Sequence, residues 1–342
     1  MAKRIERIRE KIECAFFARG EESQELSADR IHVISCIGVE LESDLVGHFA
    51  DHYLGLGVPA KNFHIVLNAT RENADELRIA SSMLETRGIV PEEIWVEPYT
   101  SEAMWQKRRD VQRRCVPKDH WVISADADEF HEYPLPLPRF LAQCELNGVT
   151  CVDGVFVDRV TPDGTLPSLD RDRPLSIQFP VQAMVQGRIV GFGEKNRPFG
   201  SIKLMAFDAG LLPAQGGHGL VDKGEARFLF GRHLAEYPQI SLPAFRFCLP
   251  LRVHHYKWHA GLMSSLNRRL SAEGVSPAGK EYGENLMAHI RGRGERIDFA
   301  QIAVYRKHAL SSFVGWRTRL RAVRGLHYAR KNSRRIRRKL PI

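Results

Sequence analysis

The stretch WVISADADEF, residues 121–130, begins as an apolar run and ends with three carboxylates, Asp126, Asp128 and Glu129, within four positions. Side chains alternate across a β-strand, so in an extended chain Asp126 and Asp128 point to one side while Ala125 and Ala127 point to the other. Two like charges in one small volume raise each other's pKa and destabilise a fold unless a cation or a set of donors compensates them. Hard carboxylate oxygens suit Mg²⁺ or Mn²⁺, ions that keep open coordination positions for water and phosphates. The stretch therefore predicts a divalent-metal site at the tip of a strand.

The elements that must position these residues are legible on the N-terminal side. RIHVISCI (30–37) predicts a first strand, and ESDLVGHFADHYLGLG (42–57) predicts a helix with Leu45, Phe49 and Tyr53 at helical spacing and a Gly stop. NFHIVLN (62–68), RENADELRIASSMLETRG (71–88) and EEIWVEPY (92–99) predict strand, helix and strand, the helix carrying Leu77, Ile79, Met83 and Leu84 on one side. SEAMWQKRRDVQRRCV (101–116) predicts a third helix capped by Ser101, and HWVISADADEF the fourth strand. Strands separated by single helices imply a parallel sheet with helices on its faces, and such sheets bind ligands beyond the carboxyl ends of their strands. The acidic cluster falls there. After residue 130 the pattern changes to a proline-bounded helix, PLPLPRFLAQCELNG (134–148), and strand-like GVFVDRV, SIKLMAF and FCLPLRVHHYKW among Gly- and Pro-rich loops.

With 342 residues and 43% apolar content the chain has the composition of a globular protein with a sizeable core. Its six cysteines (Cys14, Cys36, Cys115, Cys144, Cys151, Cys248) form no C-x-x-C pair and no zinc-finger spacing, which predicts scattered thiols in a reducing compartment. Charges are threaded through residues 1–29, which predict an amphipathic N-terminal helix, neither a signal peptide nor a membrane span. A cytoplasmic protein is expected. The net charge of +9 is uneven: Asp298 is the last acidic residue, and thirteen Lys or Arg follow it. The basicity thus belongs to the tail.

An alternating first half that ends in D-A-D-E-F resembles the nucleotide-sugar-dependent glycosyltransferases of the GT-A fold, and within them the family 2-like and family 92-like groups with their D-x-D-E-F signature. A later His-Tyr followed by polar and basic residues, VHHYKWHAGLMSSLNRR (253–269), also resembles that group. The resemblance spans roughly residues 30–270. It implies an α/β, Rossmann-like, mostly parallel sheet flanked by helices, with a nucleotide-sugar half at 30–130 and an acceptor half at 131–300. It further implies a hexosyltransferase that moves a sugar from a nucleotide-diphosphate donor to a glycan or lipid-linked acceptor, as in polysaccharide biosynthesis, with Mn²⁺ or Mg²⁺ as cofactor. One departure concerns the base: the Asp usual after the second strand is absent, and LNATREN offers Asn68 and Glu72 instead.

A departing nucleoside diphosphate develops negative charge, which a divalent cation on its phosphates stabilises. Asp128 is expected as the direct ligand, Asp126 as a ligand or as the group holding the ribose or a metal-bound water, and Glu129 as a supporting or acceptor-facing carboxyl. The resemblance implies a histidine ligand as well. His218 in QGGHGL and His254, His255 and His259 in VHHYKWH are available; His255 matches the pattern best and His218 is the second candidate. The resemblance implies basic residues of the third helix near the donor diphosphate, Arg109 first among them; the alternative makes Lys107, Arg108, Arg113 and Arg114 a solvated helix face. Lys203 and Lys257 are further donor-binding candidates. If the reaction inverts, a carboxylate must deprotonate the acceptor, and Asp222, Glu225 and Glu194 are candidates.

Residues 301–342 predict a basic helical tail with Phe313, Trp316, Leu320, Val323 and Leu326 at helical spacing. Such a helix would lie on an anionic membrane surface and place the enzyme peripherally on the inner face of the membrane, or would pack its stripe on the catalytic domain. Nucleic acid is disfavoured as a partner because no stacking platform accompanies the charge. Two other function classes compete. A metal-dependent phosphohydrolase or nucleotidyltransferase would use the same carboxylates but lacks the second carboxylate cluster that two-metal hydrolysis requires. A non-catalytic membrane- or nucleic-acid-binding protein leaves the acidic strand end unexplained.

Overall fold

Nine strands form one sheet in the computed structural model, which describes residues 25–189, 199–222, 224–247, 249–271, 275 and 277–305. Residues 1–24 of the predicted N-terminal helix, Glu194, and the tail from residue 306 lie outside the described residues. The strands are β1 Ile31–Gly38, β2 Phe63–Ala69, β3 Glu93–Val96, β4 Trp121–Ser124, β5 Glu129–Glu132, β6 Cys151–Val160, β7 Val181–Ala183, β8 Ile202–Asp208 and β9 Arg252–His255. Their spatial order is β3-β2-β1-β4-β8-β6-β9-β5, with β7 paired to β6. The first four run parallel, as single-helix connections require, whereas β4–β8, β8–β6, β6–β7 and β9–β5 are antiparallel and β6–β9 is parallel. The expected parallel order therefore holds through β4, and the second half completes the sheet in mixed orientation.

Helices α1 Val46–Gly55, α2 Asp75–Glu85 and α4 Leu137–Leu146 cover one face, and α3 Ser101–Cys115 covers the other. The alternation of β1 shows the division: Ile31, Val33 and Ile37 join a core with Phe49, Tyr53, Leu84 and Phe140, while Ile34 and Cys36 join one with Met104, Trp105 and Val111 of α3. Every residue of β1 is buried, because both faces of a central parallel strand are covered. The cap of α3 is Thr100, whose hydroxyl accepts from the Ala103 N–H at 3.2 Å, one residue before the expected Ser101. A satellite core packs α5 Gly261–Ser271 and α6 Pro277–Arg291 through Leu262, Leu266, Leu286 and Ile290 around Trp258. The last described residues stay with this body: Tyr305 N–H bonds the Gln182 carbonyl at 2.8 Å. Among the described residues no helix is long and apolar enough to cross a membrane.

Candidate active site

The acidic stretch is not one strand. β4 ends at Ser124, residues 125–128 turn, and β5 begins at Glu129; the Glu129 N–H bonds the Asp126 carbonyl at 3.0 Å and closes the turn. The strand alternation expected for Asp126 and Asp128 therefore does not apply, and each carboxylate meets its own cation. Asp126 accepts from Arg108 Nη2 at 2.5 Å and from Lys203 Nζ at 3.1 Å, and Lys203 also donates to Glu129 Oε1 at 2.8 Å. Glu129 Oε2 accepts the Asp126 N–H at 3.1 Å. Protein cations thus supply part of the compensation that the sequence led us to assign wholly to a metal ion. Burial favours a neutral Asp126, but Lys203 and Arg108 override it and hold the carboxyl far below its usual range. Glu129 is pushed up to about 7, first by burial and then by Asp126.

On the other side stands His255, and strand register explains its surroundings. In β9 it lies opposite Glu129 of β5 and beside Asp158 of β6. Its Nε2 faces Asp128 Oδ2 at 3.3 Å and its Nδ1 faces Asp158 Oδ1 at 3.1 Å. Asp158 is fixed in turn, accepting from Trp258 Nε1 at 3.0 Å and from the Gln186 N–H at 2.7 Å. Burial opposes a charged ring, but the two carboxylates hold the proton and raise His255 to about 10, while the same contact keeps Asp128 low. Asp128, Glu129 and His255 each offer a ligand atom, all within 4.8 Å of one another. A histidine whose rear nitrogen is held by a buried carboxylate is the arrangement metal-binding histidines adopt, so the donor set fits a divalent ion. Asp126, committed to Arg108 and Lys203, is not in this set.

These groups open into a cavity of about 600 Å³ at the carboxyl ends of β1 and β4. Lys257 lines it and donates to the Tyr282 hydroxyl, over whose ring it lies 4.8 Å from the centroid. Arg268 and Arg269 of α5 also line it, the first over Tyr99 and the second over Tyr282. Gly217 lets the glycine loop close in: its φ is +64°, and a Cβ there would lie 2.7 Å from the Trp105 ring and 2.9 Å from Lys203 Cε.

Several expected residues are placed elsewhere. Arg109 bonds the Pro213 carbonyl and Gln106 and does not line the cavity, whereas Arg108, expected in a solvated face, is 1% exposed beneath Asp126 and stacked on Trp105. His218 lines the cavity, but its Nδ1 donates to the Ile202 carbonyl at 2.7 Å and it is not in the donor set; burial lowers it to about 4. His254 faces Glu132 at 2.8 Å on the opposite side of β9. Asp222 and Glu225 are exposed, and Asp222 caps its own turn through the Gly224 N–H. Asn68 ties the Trp95 and Glu97 carbonyls and is fully buried, and Glu72 is exposed, so neither reaches the cavity. The sequence did not reveal Glu42, a cavity carboxyl raised to about 8 by burial and then by Asp128 and Asp126. Nor did it reveal Asp158, whose only signal was an acid inside the apolar run GVFVDRV.

No protein-family model matches the chain, and no curated protein does. Among solved structures it is similar to a mannosyltransferase from Pyrobaculum calidifontis in complex with GDP-Man and Mn²⁺, at 10% identity and a TM-score of 0.31 over 81% of this chain and 75% of that one. It is also similar to S. aureus TarS 1-349 in complex with UDP, at 12% identity and a TM-score of 0.29 over 77% of this chain and 73% of that one. These likenesses are too slight to carry a function, which rests on the side chains of the cavity.

Proposed function

We propose that this chain is a divalent-metal-dependent glycosyltransferase of GT-A type that uses a nucleotide-diphosphate sugar and a glycan or lipid-linked acceptor. One observation carries the proposal: a carboxylate–histidine donor set, Asp128, Glu129 and His255, stands at the carboxyl end of a parallel sheet, in a cavity whose far wall is basic. Mn²⁺ or Mg²⁺ held there would neutralise charge on the departing diphosphate. The chain's own residues do the rest. Asp158 fixes the His255 ring so that Nε2 points into the cavity. Arg108 and Lys203 keep Asp126 ionised and hold the 125–129 turn rigid. Lys257, Arg268 and Arg269 line the cavity and would add positive charge to the leaving phosphates, and Tyr99 and Glu42 line it where Asn68 does not. Glu129, 2% exposed and bonded to Lys203, braces the site and is not free to take an acceptor proton.

Isothermal titration of UDP and GDP with and without Mn²⁺, on wild type and Asp128→Ala, tests this. Binding of one nucleotide should require the ion and disappear in the variant. Binding unchanged in Asp128→Ala would remove the metal site from the proposal. A nucleotide-sugar screen read by mass spectrometry of the products separates the chemistries: glycosylated acceptor or free sugar supports transfer, whereas phosphate release from a nucleoside triphosphate with no sugar product points to a phosphohydrolase.

A further inference from the structure

At the opposite end of the sheet, four neighbouring strand starts bring another set of ligand atoms together. His32 and His64 are the second residues of β1 and β2, Glu92 immediately precedes β3, and His120 immediately precedes β4. Cys115, the last residue of α3, reaches the same spot. His64 Nδ1 lies 3.1 Å from Glu92 Oε2, and Cys115 Sγ lies 3.2 Å from Glu92 Oε1. One ligand atom from each of the three lies within 4.8 Å of the others. A tetrahedral zinc site with bonds of about 2.0–2.3 Å places its ligand atoms about 3.3–3.8 Å apart, so closure needs small side-chain movements only.

The histidines behind this cluster are arranged as support. His64 Nε2 contacts His32 Nδ1 at 3.1 Å, and His32 Nε2 contacts His120 Nδ1 at 2.9 Å. If His64 presents Nδ1 as a lone pair to an ion, Nε2–H donates to His32, which donates onward to His120; the ring is held by its rear nitrogen, as in metal-bound histidines. His64 is buried, Cys115 is partly exposed and Glu92 is exposed, which leaves an entry path and a position for water. Arg114 Nη2 lies 3.3 Å from Glu92 Oε1, and because its side chain is 56% exposed this surface pairing holds the carboxylate only weakly against an ion.

We propose that His64, Glu92 and Cys115 form a second divalent-metal site, distinct from the one at Asp128, that takes an ion of the zinc class. The mixed thiolate, imidazole and carboxylate set selects zinc over the hard ions suited to the cavity. Cys115 loses its thiol proton to solvent on binding, and the resulting thiolate and the Glu92 carboxylate balance the charge of the ion. The occupied site clamps the end of α3 to the starts of β2 and β3. That helix carries Arg108 to Asp126, so the ion braces the distant active site without touching it.

Cobalt titration of the full chain tests this, because a thiolate–cobalt bond adds a charge-transfer absorption in the near ultraviolet that oxygen and nitrogen ligands do not give. Wild type and Asp128→Ala should both develop the band, the variant saturating at a single equivalent because its other site is gone, and zinc should abolish it. Cys115→Ser should lack it, and His64→Gln should bind cobalt at least about tenfold more weakly. Circular dichroism melts verify that both variants fold. Absence of the band in wild type and Asp128→Ala, its survival in Cys115→Ser, or unchanged affinity in His64→Gln would each overturn the proposal. Because Asp128→Ala removes the other site, failure here leaves the proposed catalytic function untouched.

Discussion

Replacing Lys203 by Met tests whether protein cations hold the acidic turn together. The lysine is 1% exposed and bonds Asp126 at 3.1 Å and Glu129 at 2.8 Å. Met is of similar length and apolar, so packing changes little and the electrostatic term dominates. Asp126 keeps its 2.5 Å bond from Arg108, but Glu129, 2% exposed, keeps only the Asp126 N–H. Without the lysine, Glu129, already pushed up to about 7, takes a proton at neutral pH; at about pH 9 its buried carboxylate is stranded, and removing one partner of a buried pair then costs about 3–5 kcal/mol. Urea unfolding at that pH should show the loss as a midpoint lowered by about 1 M or more with an unchanged slope, given a slope of about 3 kcal/mol per M. Glu129→Gln in the same chain removes the stranded charge and should recover most of the loss, giving a coupling of about 2 kcal/mol or more between the two positions. A Lys203→Met cost below about 1 kcal/mol, or a double variant no more stable than the single, would refute the proposed role of the pair.

Asp158→Asn should weaken Mn²⁺ binding about 10- to 100-fold by loosening His255, measured by calorimetric titration; an unchanged affinity would remove Asp158 from the site. His255→Ala should abolish Mn²⁺ binding while His218→Ala leaves it within about threefold, and the reverse order would move the ligand to the glycine loop. Burial lowers His52 from 6.5 to about 4, opposed by its bond to the His131 carbonyl. The unfolded chain takes up that proton first, so this contribution, about 3 kcal/mol at most, is complete above pH 6.5 and is lost as the pH falls towards 4. Urea midpoints at pH 7.5 and 4.5 should differ accordingly, and His52→Phe, whose ring would lie between Tyr53 and Phe130, should narrow the gap; an equal gap in both proteins would refute it. Deletion of residues 313–342 should release the protein from anionic liposomes at low salt, with wild type itself released at high salt; a full chain that ignores such vesicles would end the membrane proposal.

The first four strands were legible because each is a short apolar run bounded by a helix of clear period, and parallel order then follows from the connections. The turn at 125–128 was not, since Ala125 and Ala127 are buried and continue the apolar pattern of β4 without a break. Arg108 was hidden by its neighbours: it shares the inward stripe of Met104, Trp105 and Val111, yet in sequence it sits inside a charged run. His255 could be singled out from the His-Tyr at a strand end. Asp158 could not, because its role comes from β6 pairing with β9 in register, which links residues 97 positions apart. Asp222 and Glu225, chosen for nearness to His218 along the chain, are exposed and do not line the cavity that His218 lines.

The pairing of β5 with β9 also dictates when the site can exist. Asp128 and Glu129 leave the ribosome long before His255, and in the strand order β9 is joined to β4 only through β6 and β8. Contacts of such long range close late, since the entropy of the intervening loop opposes them until the rest of the sheet rewards them. A nascent or refolding chain with only β1–β4 assembled thus lacks Lys203 of β8 to brace the acidic turn as well as His255, and offers no three-ligand set. Tight Mn²⁺ binding would then mark the final docking of β9, and under the proposed function the ion would act as an inspector of completed folding.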